Sequence, residues 1–132
     1  MDIDRIMSIL QKAIVECSTQ DGRASVAIVD AGGNLVAFQR MPGANLVTID
    51  TAIGKAYTAV AIGADSGVLH QAMQPGAPLF GMQAMTMQPH PLVPFAGGVP
   101  IVNADQEIIG AIGVSGMPDS SSDEVIARQA LV

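Results

Sequence analysis

Apolar and polar positions along the first third of the chain predict a helix followed by a hairpin. Between residues 3 and 17 the apolar side chains recur at helical spacing and fall on one face. Asp21-Gly22 is expected to end this helix. Residues 24–30 and 35–40 are predicted to form two strands, and the short glycine- and asparagine-containing segment between them has the chemistry of a hairpin turn.

The middle of the chain predicts a second long helix and then a long irregular segment. Residues 48–61 have the apolar spacing of a helix, and Gly63 follows as a residue suited to end it. Asp65 or Ser66 is expected to cap a short third helix. Residues 74–98 contain five prolines, which exclude a long regular element, and a loop of this length in a compact domain is usually functional.

The last third predicts a second pair of strands and a closing helix. Residues 99–102 and 107–114 are expected to pair antiparallel across a short turn, and Ser121 with Glu124 has the spacing of a capping box. Gly113 and Gly116 interrupt an otherwise apolar strand end, which indicates that backbone or a ligand comes close there. The order of elements predicts an α+β domain with an antiparallel sheet.

Composition favours a single domain that associates with copies of itself. The chain has 132 residues, of which 49% are apolar, 14% are charged and 3% are aromatic. This length supports one core, and we treat residues 1–132 as a single domain. The apolar surplus predicts a homo-oligomer. The alternative is a monomer with a tightly packed, alanine-rich core.

The charge distribution excludes several classes of partner and location. The formal net charge is −6, and the six basic residues form no cluster, so we expect no nucleic-acid binding. No apolar run is long enough to cross a bilayer, and the first residues lack the features of a signal peptide. The single cysteine, Cys17, lies on the apolar helix face and is expected to be a buried structural thiol. These features fit a cytoplasmic protein without membrane partners.

Most standard site chemistries find little support. The chain has two histidines, His70 and His90, and no paired cysteine or histidine motif, so no dedicated metal site is expected. Ser115 lacks the spacing of a nucleophile elbow and is interpreted as a turn serine. The glycines around it match neither a dinucleotide-binding fingerprint nor a phosphate-binding loop.

Five residues remain as candidates for a ligand site. Lys55 is the only charged residue between positions 51 and 62, so its ammonium either reaches solvent or meets an anion. Arg40 ends the hairpin, and His90 stands between two prolines that restrict its backbone; an exposed loop histidine is the alternative there. Gly97 and Gly98 have no side chains, so a ligand can come close to the backbone at these positions. We predict a site that binds a small acidic molecule between Arg40, Lys55, His90, Gly97 and Gly98.

Several segments together resemble a known family. They are Gly97-Gly98-Val99-Pro100-Ile101, Ile109-Gly110-Ala111-Ile112-Gly113-Val114-Ser115-Gly116, Asp123-Glu124-Val125-Ile126-Ala127, the hairpin 33–44 and Lys55-Ala56-Tyr57-Thr58-Ala59. The chain is similar in these segments to the GlcG/HbpS-like family, a haem-binding and haem-degrading type of domain that also occurs at the C-terminus of PduO-type proteins. The resemblance implies a profilin-like three-layer α/β/α fold. It also implies a small-ligand-binding oligomer, with haem or another tetrapyrrole as the first candidate.

Two other functions stay open. One is a cofactor-independent enzyme of a catabolic pathway that acts on a small carboxylate or aromatic acid. His90 or Lys55 would then be the base, and Arg40 would anchor the carboxylate. The other is an accessory subunit of a catabolic enzyme.

Overall fold

A computed structural model describes residues 1–87 and 89–132. In chain order the elements are α1 (Ile3–Thr19), β1 (Ser25–Asp30), β2 (Leu35–Arg40), α2 (Val47–Ile62), a 3-10 turn (Ser66–Val68), α3 (Leu69–Ala72), α4 (Met82–Met85), β3 (Gly98–Val102), β4 (Ile108–Ser115) and α5 (Ser120–Ala130). These bounds lie within two residues of the predicted long helices and strands. In the segment 74–98, the described residues before Gly98 form no strand and one short helix, α4.

The four strands form one antiparallel sheet in the order β2-β1-β4-β3. The two hairpins predicted from sequence are therefore joined side by side, because β1 pairs with both β2 and β4. Ser25 of β1 stands opposite Arg40 of β2 and also opposite Ser115 of β4. Directly opposed residues of antiparallel strands point to the same face, so these three side chains form a row across one end of the sheet.

Helices cover both faces of the sheet, which confirms the α+β class and the three-layer arrangement. On one face, branched side chains of the strands pack against α1 and α5; the strand residues buried there are Val26, Ile28, Val99, Ile101, Ile112 and Val114. On the other face, small residues pack against α2; they are Ala27, Val29, Ala111, Ala52, Ala56 and Ala59. Small side chains on both sides let α2 lie close to the sheet.

Gly113 shows how close that approach is. A Cβ atom at Gly113 would meet the carbonyl oxygen of Ala52 and lie 2.7 Å from the backbone nitrogen of Ala56, both in α2. This confirms that backbone comes close at the glycine-rich strand. Gly54 of α2 is also closely packed: a Cβ there would lie 2.6 Å from Val93 Cγ2, in the loop that precedes β3.

Both predicted helix caps differ from the observed ones. The carboxylate of Asp119, rather than the pair Ser121 and Glu124, caps α5 by accepting from the Ser122 backbone N–H at 2.8 Å. Neither Asp65 nor Ser66 caps the short helices. The Asp65 carboxylate instead pairs with Arg128, and the Ser66 hydroxyl donates to the carbonyl of Phe95 at 2.6 Å. Contacts to distant parts of the chain outcompeted the local cap in these places.

Cys17 is fully buried, as predicted, and burial raises the pKa of its thiol to about 11. A thiol of this kind is an inert structural group. Across the part of the chain that the structure describes, no helix combines the length and the apolar character that crossing a membrane requires.

Candidate functional site

A buried ion pair joins α2 to the start of α5. Lys55 Nζ lies 3.0 Å from Asp123 Oδ2, and each side chain is only 4% exposed. Lys55 also donates to the carbonyl of Val114 at 3.1 Å, and Asp123 Oδ1 accepts from the Met117 backbone N–H at 2.9 Å. Of the two fates predicted for the Lys55 ammonium, the structure shows the second, in which it meets an anion.

Burial has the largest influence on the pKa of Asp123. It raises the pKa of Asp123, and the opposing influence of Lys55 and of the Met117 N–H only partly offsets the rise. A buried pair also carries a desolvation cost, so its presence is weak evidence for stability alone. The ammonium charge of Lys55 is neutralised at close range and is therefore not free to attract an acidic ligand from solvent.

Two pairs of hydroxyl groups lie beside the ion pair. Thr51 Oγ1 and Ser115 Oγ are 2.6 Å apart, and Ser25 Oγ and Thr48 Oγ1 are 2.8 Å apart. Each threonine also donates to a carbonyl of its own helical turn, Thr51 to Val47 at 2.9 Å and Thr48 to Asn45 at 2.6 Å. Each threonine proton is thus used by a carbonyl at or just before the start of α2, so each serine donates to its threonine and keeps only acceptor lone pairs free.

A cleft opens above these groups, between the start of α2, the end of β4 and the start of α5. We call it the α2–α5 cleft. Its volume is about 360 Å³, and its lining residues are Asn45, Val47, Thr48, Thr51, Lys55, Phe95, Ser115, Gly116, Met117, Pro118, Asp119, Ser120 and Asp123. A groove of about 500 Å³ along α1 and the C-terminal residues is larger. However, it contains no buried ionic group, so the α2–α5 cleft is the better candidate site.

The structure brings together three of the five predicted site residues. A Cβ at Gly97 would lie 2.9 Å from Lys55 Nζ, and one at Gly98 would lie 2.7 Å from the backbone carbon of Lys55. Gly97 also has a φ of 134°, a backbone conformation that favours glycine. The two glycines therefore form the wall against which the lysine is packed.

Arg40 and His90 lie outside this group. Arg40 shares the end and the face of the sheet with Ser25 and Ser115, but its guanidinium donates to the carbonyl of Ala44 at 3.0 Å. His90 packs edge-on against Tyr57 with a ring-centroid distance of 5.2 Å. Neither residue lines the α2–α5 cleft.

The sequence interpretation missed Asp123 and the hydroxyl pair of Thr51 and Ser115. In the sequence, Asp123 was noted only as the first residue of the segment Asp123-Glu124-Val125-Ile126-Ala127. The signal that could have found it is Lys55, because a buried cation requires an anion. Choosing among the acidic residues of that segment required the three-dimensional arrangement. Within residues 1–87 and 89–132, no cluster of three His, Cys, Asp or Glu side chains is arranged to hold a metal ion.

Comparison with known proteins identifies the family. The family model described as "Haem degrading protein HbpS-like" matches residues 1–132. The chain belongs to this HbpS-like family. The match agrees with the resemblance found in the glycine-rich strands and the central helix.

Two curated relatives share a substantial part of this HbpS-like chain. A 15.0 kDa protein in the dhaT-dhaS intergenic region of Citrobacter freundii is 38% identical over 105 residues, which are 80% of this chain and 71% of that protein. The corrinoid adenosyltransferase PduO of Salmonella typhimurium is 40% identical over 91 residues, which are 69% of this chain but 26% of PduO. The aligned part of this chain thus spans about a quarter of PduO.

Solved structures of the same fold cover almost the whole chain. The PduOC:Heme complex has a TM-score of 0.90 at 31% identity and covers 99% of this chain and 92% of its own. Klebsiella pneumoniae ORFY has a TM-score of 0.90 at 27% identity, with 99% and 88% covered. A double mutant of Streptomyces reticuli HbpS has a TM-score of 0.85 at 29% identity, with 99% and 84% covered.

Proposed function

We propose that this HbpS-like protein is a small-ligand-binding oligomer whose ligand is haem or another tetrapyrrole. The observation that carries the proposal is the similarity to the PduOC:Heme complex, at 31% identity over 99% of this chain. That structure holds haem on the same fold, and the family model that matches residues 1–132 is described by haem degradation. Fold alone does not decide function, so the residues present must also suit the group.

The irregular segment before β3 has side chains of the kinds that a tetrapyrrole needs. It exposes large apolar side chains to solvent, namely Phe80, Met85, Met87 and Phe95. A flat apolar macrocycle would cover such a surface favourably. His90 belongs to the same segment, and a neutral imidazole is a common axial ligand of haem iron. The residue types in this segment are therefore suited to bind haem.

Each of the five residues predicted from sequence has a different role in the proposed haem site. His90 is the candidate axial ligand, and Arg40, which is exposed, is the candidate cation for a propionate. Gly97 and Gly98 supply the close backbone wall. Lys55 is the buried support behind that wall, because Asp123 already neutralises its charge. This division modifies the expectation that both cations bind an acidic ligand.

Haemin titration tests the proposal. Apo-protein is titrated with haemin and the Soret band is followed; we expect saturable binding with about one haem per chain. His90→Ala should shift the Soret maximum or weaken binding at least tenfold. His70→Ala is the matched control, because His70 is the chain's other histidine and is exposed. A flat titration of the wild-type protein would refute the haem proposal.

The α2–α5 cleft supports a second candidate, the enzyme acting on a small acid. A carboxyl with a raised pKa beside a lysine and two hydroxyl groups can exchange protons with a bound substrate. Saturation-transfer NMR against a panel of small carboxylic acids tests it. Binding that is lost in Ser115→Ala, together with a flat haemin titration, would favour this candidate. Absence of binding would remove it.

A further inference from the structure

The segment that carries His90 is fastened to α2 by its backbone. We call residues 90–95 the strap. In the middle of the strap, the Val93 N–H donates to Thr58 Oγ1 at 2.9 Å, and a Cβ at Gly54 would lie 2.6 Å from Val93 Cγ2. Gly54 and Thr58 lie on the same side of α2, because they are four positions apart. A hydrogen bond and close packing therefore hold the strap against one side of the helix.

Thr58 is a specific anchor for the strap. Its side chain is fully buried, and its hydroxyl proton is donated to the Gly54 carbonyl at 2.7 Å. Toward the strap the hydroxyl oxygen therefore acts as an acceptor, and the Val93 N–H is the donor that uses it. Valine has nearly the same shape as threonine but no acceptor, so replacing Thr58 by valine would remove this hydrogen bond and keep the packing.

The rest of the strap is also held in place. Leu92 is buried in an apolar cluster with residues of α3. At the end of the strap, the Phe95 carbonyl accepts from the Ser66 hydroxyl at 2.6 Å. Pro91 and Pro94 restrict the backbone between these contacts. The strap therefore has little conformational freedom of its own.

The chain before His90 gives no comparable support. Within the described residues 74–87, each hydrogen bond joins two residues of that segment or connects one of them to α3. None of these bonds reaches α2 or the sheet. The position of His90 therefore depends on the strap that follows it and on the contact that its own ring makes.

The imidazole of His90 contacts Tyr57, which directly precedes Thr58 in α2. The two rings meet edge to face, with an interplanar angle of 61°. The tyrosine ring is itself supported by the β1–β2 turn, because a Cβ at Gly33 would lie 2.8 Å from Tyr57 Cδ2. His90 remains half-buried, so part of its ring is accessible to a ligand. Consecutive residues of α2 thus hold the backbone of the strap and the imidazole.

We propose that Tyr57 and Thr58 are positioning residues for His90. Thr58 fixes the backbone of the strap and Tyr57 fixes the ring, so the imidazole is held in one place before haem binds. A side chain that is ordered in advance loses less conformational entropy on binding, which raises the affinity. The inference rests on the proposed haem-binding function and deepens it, because it assigns roles to two residues that act through His90.

Carbon-13 relaxation of the His90 ring in the apo-protein tests the anchoring directly. In the wild-type protein we expect an order parameter of about 0.85, as for rigid backbone, and in Thr58→Val and Tyr57→Leu a value below about 0.6. Thr58→Ser keeps the hydroxyl and Tyr57→Phe keeps the ring, so these conservative variants should restore the order. A mobile His90 ring in the wild-type protein would overturn the proposal, and so would an ordered ring in both disruptive variants.

Haemin titration tests the consequence for binding. Thr58→Val should raise the haemin dissociation constant at least fivefold and leave the Soret maximum of the saturated complex unchanged, because His90 remains the iron ligand. Ile112→Val is the control for lost stability, since Ile112 packs on the other face of the sheet, and its affinity should equal that of the wild-type protein. An equal loss of affinity in both variants would overturn the proposal.

The two measurements separate this proposal from the proposed function. A flat haemin titration of the wild-type protein, together with an ordered His90 ring in the apo-protein, would refute haem binding and confirm that α2 anchors His90. Saturable haemin binding that is unchanged in Thr58→Val and Tyr57→Leu would support haem binding and overturn the positioning roles.

Discussion

The two faces of the sheet are built from the same strands but do different work. Toward α1 and α5 the strands present branched side chains such as Ile28 and Ile112, which bury large apolar surface. Toward α2 the strands present alanine, glycine and serine, and the α2 residues that face the sheet are alanines, threonines and Lys55. The first face supplies burial. The second face has small side chains, so α2 lies close to the sheet. This close approach allows an ion pair and two hydroxyl pairs to be buried between α2 and the end of the sheet.

This difference explains why the candidate site lies where it does. Buried polar groups are tolerated only when hydrogen-bonded, and the necessary partners are α2 side chains, strand hydroxyl groups and the carboxylate of α5. A face filled with branched side chains would hold α2 too far from the sheet for these contacts. The comparison therefore predicts that the α2 face is sensitive to added volume and the other face to lost volume.

Adding volume to the α2 face should have the largest effect. Gly113→Val would force a side chain against the Ala52 carbonyl and the Ala56 nitrogen, both backbone atoms that cannot rotate away. We expect a loss of more than about 4 kcal/mol in the free energy of unfolding, or no folded protein. Urea denaturation followed by circular dichroism measures it. Ile112→Val, on the opposite face, is the control and should cost about 1 kcal/mol; equal effects would contradict the comparison.

Breaking the buried ion pair should have the next largest effect. Asp123→Leu leaves the Lys55 ammonium buried without its counter-ion, and we expect a loss of about 4 kcal/mol. The double variant Lys55→Met, Asp123→Leu should recover most of this loss, because no charge remains buried. Thermal and urea denaturation of the two variants provide the comparison. If the double variant is as unstable as the single one, the hydrogen bonds to Val114 and Met117 matter more than the charge.

Removing volume from the branched face should cost somewhat less. Ile112 is fully buried among side chains from α1 and α5, so Ile112→Ala leaves a cavity and should cost about 3 kcal/mol. The haemin affinity should not change, since the proposed haem-binding segment before β3 contacts α2, on the opposite face of the sheet from the Ile112 side chain. An altered affinity with an unaltered fold would show that the two faces are coupled.

The smallest effect concerns the cap of α5 and depends on pH. Hydrogen bonds from Ser121 and Ser122 lower the pKa of Asp119 below its ordinary value of 3.8. A lowered pKa contributes stability above about pH 4, and this stability is lost as the pH falls through the folded-state value. Asp119→Asn keeps a capping side chain without titration. The stability of Asp119→Asn relative to wild type should therefore improve as the pH is lowered below 3.8. A constant difference would show that the Asp119 carboxyl does not contribute to the pH dependence of stability.

The regular elements and the close approach at Gly113 could be predicted from sequence because they depend on local spacing and on glycine geometry. The caps could not, because Asp65 and Ser66 found distant partners in Arg128 and Phe95. The predicted site was assembled from chemically suitable residues, and the structure joins only Lys55, Gly97 and Gly98. Asp123 was missed because the pairing of residues 68 positions apart depends on how α5 crosses the end of β4.

Pro100 limits how far any edge pairing can extend. A sheet with two open edges could add copies at both sides and grow into a filament, as exposed edges do in fibrous assemblies. Here one outward-facing proline removes the central donor of the β3 edge. A strand added at the β3 edge would therefore lack a hydrogen bond at its centre, so this edge is protected from the strand-by-strand growth that builds fibrous assemblies.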